Sequence, residues 1–474
     1  MKPRRSLIGI AAAASLLGAA CTSVGPDYER PLLGLPAAYP DGAAAAGGKQ
    51  ALESAAVTAE WWKVYGDARL DELVASALAR NADIRVAVAR IEETDANLRE
   101  AGAAFLPEIN LGSTGSRQRF STTQATPAFS GVPIIRNNVR LALNTAFEID
   151  FWGKLRRTLE AARALALSSR YAKDVVTLSL AGLTTQAYFS IRSLDEQIAF
   201  TRSTLDSRDS ALDLVRRRVA GGIASDLELS QAQSARAEVS LQLRELQRQR
   251  SLLEHQLATL TGTLDLGVAP GNLPGLPVPP QPPAGLPSQL IERRPDIQLA
   301  EQQLVAANAQ IGIARAAMFP SVSLTGLLGD ESRALSTLLN SGSRIWSLGF
   351  GVTLPIFDWG RLASRSDAAT ARAQQLVAGY QKSVETAFRE VADALSNAAA
   401  GRETEDDLQT RLQAARTTSR LALLRYQSGY SPFLEVLDAQ RSLNDAGLAL
   451  VRNHQSRLAA SVDLMKALGG GWTR

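Results

Sequence analysis

Glu435 and Asp438 follow Pro432 three residues apart, a spacing that sets both carboxylates on one face of a helix. Like charges held together are costly unless hydrated or partnered, and most acid pairs of this kind are solvated. Arg218 and Arg425 form a second matched set, each followed four positions later by a glycine, Gly222 or Gly429. Glycine in that place permits the chain to reverse, and Ser225 with Glu228 then reads as a capping box for the returning helix. Cys21, the only cysteine, cannot form an internal disulfide, so its use is chemical. His255 and His454 stand alone, without cysteine or acid clusters at ligand spacing, and read as structural. There is no phosphate loop, nucleophile elbow or zinc pattern. The sequence therefore predicts no enzyme, no metal and no bound cofactor.

Lys2, Arg4 and Arg5 precede an apolar run from Leu7 to Leu17 and the small residues before Cys21, the pattern of a secretory signal over residues 1–20. The arrangement resembles a bacterial lipoprotein signal, with Gly18 where leucine is usual; the resemblance implies a covalent lipid on Cys21 and, with Thr22 after it, sorting to the outer membrane. Its removal leaves 48 basic against 47 acidic residues, so the basic balance of the whole chain implies no nucleic-acid partner. After it no apolar run approaches a transmembrane helix.

Two long rods must position the matched residues. Lys154 to Arg218 holds no proline and one interior glycine, Gly182, and at about 1.5 Å per residue makes a helix of about 100 Å. Its seam is Leu180, Leu183, Ala187, Ile191, Leu194, Ile198, Leu205, Leu212, Val215 and Val219, with Thr201 and Arg208 as breaks. A repeat of about 3.5 residues predicts packing against neighbouring helices. The rod recurs at 361–427, and shorter helices follow at 226–261 and 432–468, the first with a seam of Ala232, Ala235, Val239, Leu243, Leu246, Leu253, Leu257 and Leu260. The recurrence is general. Asp83-Ile84 and Pro107 return 213 residues later as Asp296-Ile297 and Pro320, whereas Trp152-Gly153, Arg218, Gly222 and Leu227-Glu228 return after 207. One insertion between Pro107 and Trp152 accounts for the change, and two duplicated halves are predicted, 67–269 and 288–474. Each half reads as a helix (roughly 68–104 and 288–317), a β-hairpin (about 108–151 and 321–356), the rod and the shorter helix. An extended segment, 21–66, leads in, and 270–287, with eight prolines, joins the halves as a semi-rigid strap.

The strands carry the membrane signal. Val139, Leu141, Leu143, Thr145, Phe147, Ile149 and Phe151 alternate with polar or small residues, as do Trp346, Leu348, Phe350, Val352, Leu354 and Ile356. Period-2 alternation over more than ten residues, twice at the same offset and after a secretory signal, predicts strands that cross a bilayer. Their partners, Ile109 to Phe120 and Val322 to Gly329, alternate more weakly. Trp152, Trp359 and Phe357 lie where an interfacial aromatic belt belongs. Four strands cannot close a barrel, so the chain must oligomerise: two copies give eight strands, three give twelve and a lumen.

These residues resemble the outer-membrane efflux proteins of Gram-negative bacteria, the TolC and OprM superfamily, and within it the lipoprotein (NodT/OprM-like) branch. The resemblance rests on Cys21-Thr22 with Val24-Gly25-Pro26-Asp27-Tyr28, on Trp61-Trp62 before Leu70, on Leu286-Pro287-Ser288, and on Arg293-Arg294-Pro295-Asp296-Ile297. Phe319-Pro320, Asp358-Trp359-Gly360 and Leu437-Asp438-Ala439-Gln440 complete it, in the family's order over nearly the whole mature chain. It implies an α+β membrane protein: a homotrimer whose twelve-stranded outer-membrane barrel, four strands per chain, continues into a periplasmic α-helical barrel. Leu141, Leu143, Phe147, Leu348, Phe350 and Val352 would face lipid. The helix turns, with Arg218, Gly222, Arg425 and Gly429, would dock on a periplasmic adaptor, and Glu435 and Asp438, three copies of each, would ring the closed tip as a cation-attracting gate. Glu435 stands where relatives often have aspartate.

The function so implied is the exit duct of a tripartite efflux pump, passively conducting drugs or other small toxic compounds outward from an inner-membrane transporter of RND type. Two rivals are a lipid-anchored periplasmic coiled-coil adaptor, which explains the rods but not the hairpins, and a type I protein-secretion duct, which the lipoprotein start disfavours.

Overall fold

The computed structural model describes residues 23–34, 36, 39, 60–121, 123, 133–279 and 290–471. The signal at 1–20, Cys21 and the linker from 280 to 287 lie outside them. The described chain falls into two units. One comprises Arg90–Ser169 and Ala300–Tyr380 with the described residues up to Leu32; the other comprises the described parts of Leu33–Ala89, Arg170–Leu299 and Gln381–Arg474. Among the described residues no helix is long and apolar enough to cross a membrane.

The elements run in chain order as α1 (Ala68–Arg80), α2 (Ala82–Ala103), β1 (Glu108–Arg119), β2 (Ile135–Ile149), α3 (Lys154–Ala220) and α4 (Asp226–Thr261). They continue with α5 (Leu290–Arg293), α6 (Pro295–Ala316), β3 (Ser321–Ser332), β4 (Arg344–Thr353), α7 (Arg361–Gln427) and α8 (Phe433–Ala467). Both rods are 67-residue helices. The 213-residue offset still holds through β1 and β3, so the insertion lies beyond them, between Arg119 and Trp152.

Two helices expected to be continuous are divided. Asn81 separates α1 from α2: its Oδ1 accepts from Asp83 N at 2.7 Å and its Nδ2 donates to Leu260 O at 2.9 Å. A buried asparagine that caps one helix while gripping another is better satisfied outside helical geometry. In the second half Pro295 disfavours helix at Arg294 and opens α6 at its first position. The rods are started by aspartates from the preceding segments. Asp150 accepts from Leu155 N and Arg156 N, and Asp358 from Gly360 N and Leu362 N.

In the first unit the sheet is antiparallel in the order β1-β2-β3-β4, so the hairpins join through β2 and β3. Hairpin bounds shift from the expected ones: β2 ends at Ile149 and β4 at Thr353, short of Phe151 and Ile356. Ser23 to Arg30 has no regular structure but lies bound along α3 and α6. Val24 N donates to Trp152 O, Arg157 pairs with Asp27 at 2.6 Å, and Arg30 forks onto Glu301 at 2.7 and 2.9 Å. A Cβ on Gly25 would lie 2.6 Å from Gly312 Cα, so glycines admit this close approach.

The second unit has its main core where Trp61, Trp62 and Tyr65 of a 3₁₀ turn join Leu70 and Val74 of α1. These pack on Tyr188, Phe189 and Ile191 of α3, on Leu257 of α4 and on Leu458 and Val462 of α8. A second core holds Leu212 and Val215, Ala232, Tyr426, Phe433 and Val436 near the helix turns. The seam of α4 is buried or half-buried throughout. The seam of α3 needs two corrections. Leu183 is 45% exposed, because here the helix buries Thr184, Thr185 and Tyr188 instead. Thr201 and Arg208 do not interrupt the seam: both are buried in it, and Arg208 Nη1 donates to Gln440 Oε1 at 2.7 Å. Burial lowers the Arg208 pKa from its ordinary value.

Candidate functional site

Both helix turns in the second unit close in the same way. At the end of α3, Ile223 N donates to Arg218 O at 2.9 Å and Gly222 takes a φ of 73°. At the end of α7, Tyr430 N donates to Arg425 O at 2.9 Å and Gly429 takes a φ of 81°. These are Schellman turns with glycine at the left-handed position. A Cβ on either glycine would meet nothing within 4 Å, so backbone conformation rather than space selects the residue. The matched arginines are the residues whose carbonyls close the turns.

Their side chains diverge. The Arg218 guanidinium lies 4.7 Å over the Tyr426 ring, and its Nη1 donates to Tyr426 O at 3.3 Å. Tyr426 in turn donates its hydroxyl to Glu228 Oε2 at 3.0 Å and packs on Phe433 at 5.1 Å between ring centroids. Burial, then the bond to Glu228, pushes the Tyr426 phenol up to about 12. The expected capping box is thus half present. Ser225 Oγ accepts from Glu228 N at 3.3 Å, while the Glu228 carboxylate receives Tyr426 from across the bundle. Arg425 points instead along its own turn, with Nε 3.9 Å from Glu435 Oε2. Asp438 accepts from Arg441 at 2.6 Å.

The two candidate gate acids each therefore have an arginine of the same chain beside them. All four groups are well exposed, and such pairs contribute about 0–1 kcal/mol. Hydration and weak pairing together keep two neighbouring carboxylates tolerable on α8. Arg441 was readable at i+3 from Asp438. Tyr426 was not, because its partners Arg218 and Glu228 come from the other half of the chain.

The sheet in the first unit shows which strand residues share a face. Leu111, Leu143, Leu328 and Trp346 form one rung across all four strands, and Ile109, Thr145, Gly326 and Leu348 the next. Phe147, Leu324 and Phe350, then Ile149, Val322 and Val352, extend it. Beyond Leu143 the rung of Leu141 pairs with Ser113 and Asp330, so Leu141 stands at the polar end of the band. Leu348, Phe350 and Val352 are exposed, Leu143 partly so, and Leu141 and Phe147 half-buried. The opposite face carries Asn110, Asn144, Ser323, Thr325, Ser347 and the glycines at 112, 349 and 351. Along β4 and its continuation the apolar face spans eleven residues, ten steps, from Trp346 to Ile356. At about 3.4 Å per step and a tilt of roughly 40° the ten steps project about 26 Å, the height of the apolar band of an outer-membrane barrel. Trp152 is tied to its own chain, whereas Phe357 and Trp359 are exposed and pack on each other at 4.7 Å. A water-soluble adaptor has no use for such a face.

Comparison with known proteins agrees. Residues 73–263 and 286–470 match the family model described as outer membrane efflux protein. Outer membrane protein OprJ of Pseudomonas aeruginosa is 37% identical over 473 residues, 99% of this chain and 97% of its own. The toluene efflux pump outer membrane protein TtgC of Pseudomonas putida is 34% identical over 475 residues, 99% of this chain and 96% of its own. Among solved structures, the CmeC outer membrane channel of Campylobacter jejuni superposes with a TM-score of 0.88 at 28% identity, over 95% of each chain.

Proposed function

The chain belongs to the outer membrane efflux protein family and is the outer-membrane exit duct of an efflux pump; from that premise we propose how it is assembled and gated. Three copies close a twelve-stranded barrel. The observation that carries this is the four-stranded sheet with one exposed apolar face and two free edges, β1 and β4. In lipid those edges leave unpaired backbone groups, so they must pair with other copies. Eight strands would be filled by side chains, and twelve leave a lumen, lined by the face of Asn144, Thr325 and Ser347.

On this reading the matched element order of the two halves is a duplication, and α3, α4, α7 and α8 continue the duct as a periplasmic helical barrel. Its turns at Gly222 and Gly429 meet a periplasmic adaptor coupled to an RND-type inner-membrane transporter. Acylated Cys21 adds a lipid anchor. Cargo is small and toxic, as toluene is for the Pseudomonas putida relative, and passes without chemistry. Glu435 and Asp438 form the gate, their charge drawing cations into the narrowed tip.

Single-channel recording in planar bilayers tests both duct and gate. Wild type should give small cation-selective currents, and Glu435→Ala/Asp438→Ala larger or less selective ones. Absence of current from both proteins overturns the duct, and identical currents overturn the gate.

A further inference from the structure

The joint between the two hairpins holds a lock inside the chain. Trp152, just past β2, donates its indole N–H to Pro320 O at 2.7 Å, and its ring stacks on Phe319 at 4.7 Å, immediately before β3. The internal offsets carry this joint elsewhere. Trp152 recurs as Trp359 just past β4, and the residues before β3 correspond to Leu106-Pro107 before β1. Neither is engaged in the same way. Trp359 is 89% exposed, Leu106 is 70% exposed, and among the described residues the Trp359 indole makes no hydrogen bond. Trp359 is also the one described non-glycine residue with a positive φ, 58°, a strained setting for a bulky side chain that Trp152 does not share.

Inside the chain β2 is followed in the sheet by β3; β4 and β1 are the edges that have no such neighbour. We infer that Trp359 docks on Leu106 and Pro107 of a second copy of this chain, repeating between copies the lock that Trp152 makes with Phe319 and Pro320. This rests on the ring closure proposed above and gives it a register. The pair Phe147 and Leu324 maps onto Leu354 against Leu111, and Ile149 with Val322 onto Ile356 against Ile109. In each case both members belong to the apolar face, as a shared bilayer requires. A slip of one residue would turn Leu111 or Leu354 toward the polar side. The lock sits where the strands leave the apolar band, so every copy would hold its neighbour by the same indole and proline carbonyl, with the Leu106 side chain under the ring in place of Phe319.

The experiment uses the full chain in outer-membrane preparations, in which Cys21 is common to every variant. Leu106→Cys/Trp359→Cys is oxidised and run on a denaturing gel beside each single variant, with Leu111→Cys/Leu354→Cys as a reporter of strand pairing. The expected result is a covalent trimer from both double variants and from no single one. A reporter that cross-links while the Leu106/Trp359 pair does not overturns the lock and leaves the ring. A trimer by native mass in which neither pair cross-links overturns the inferred register and with it the lock. A wild type that is monomeric by native mass overturns the assembly itself. Trp359→Phe supplies a second readout, since Trp359 is too exposed to matter for folding of the single chain. It should lower the temperature at which the trimer dissociates, and a wild-type dissociation temperature overturns the indole bond.

Discussion

The apolar residues of the sheet and of the helix turns are chemically alike and placed in opposite surroundings. Phe350 on β4 is 78% exposed, whereas Phe433 on α8 is 1% exposed. Around Phe433 the chain supplies its own packing: Leu212 and Val215, Ala232, Tyr426 and Val436 close over it. Around Phe350 it supplies an aligned face, Phe147 and Leu324 in the same rung, that the described residues leave uncovered. The core at the helix turns is therefore hidden from water by its own chain, while the sheet leaves an aligned apolar face uncovered. The same contrast holds for polar atoms. Tyr426 donates its hydroxyl to Glu228 inside the bundle, whereas β1 and β4 each have one backbone edge with no strand beside it among the described residues.

Substitutions in the two regions break the comparison in different solvents. Phe433→Ala empties a fully buried site and should lower stability by about 3–5 kcal/mol, in detergent or in membranes, by denaturant unfolding. Phe350→Arg or Leu143→Arg should cost about 2–4 kcal/mol near the bilayer midplane and almost nothing in a soluble chain. Unfolding from lipid vesicles, together with the yield of assembled protein in outer membranes, measures it. Normal assembly of both arginine variants would mean that the exposed face does not meet lipid.

Much of this contrast was written in the alternation of the strands. Period 2 declares which residues share a face, and the pairing of Leu143 with Leu111 and Leu328 needed only the right register to become a rung. The matched Arg and Gly positions at the turns were equally legible, because a left-handed glycine is a local requirement. What escaped is what depends on contacts distant in sequence. Asn81 breaks a helix by gripping Leu260 O, Arg208 fills a seam position by finding Gln440, and Glu228 leaves its capping role for Tyr426. Leu183 shows the limit of a heptad reading, since α3 at that level is surrounded on several sides and no single stripe defines its interior. Ser23 to Arg30 reads in the sequence only as part of an extended lead-in, because its order comes from Arg157, Glu301 and Gly312 rather than from its own residues.

The turns offer a finer comparison, since one backbone design carries two electrostatic settings. Gly429→Ala and Gly222→Ala should each cost about 1–2 kcal/mol by forcing a Cβ into the left-handed region, with no steric clash to distinguish them. Equal thermal shifts in the two variants would confirm that the turns are equivalent as backbone. The smallest effect on stability separates them as charge. Asp438 and Arg441 are an exposed i,i+3 pair, so Arg441→Gln should change stability by less than about 1 kcal/mol. It nevertheless removes the positive charge that lies 2.6 Å from the Asp438 carboxylate. If Asp438 sets the field at the tip, reversal potentials in a KCl gradient should then show stronger cation selectivity than wild type. Arg218→Gln, whose guanidinium rests on the Tyr426 ring away from either acid's pairing, should leave selectivity unchanged. The same reversal potential in both variants would separate Asp438 from the conduction path and leave its pairing with Arg441 a feature of the α8 surface alone.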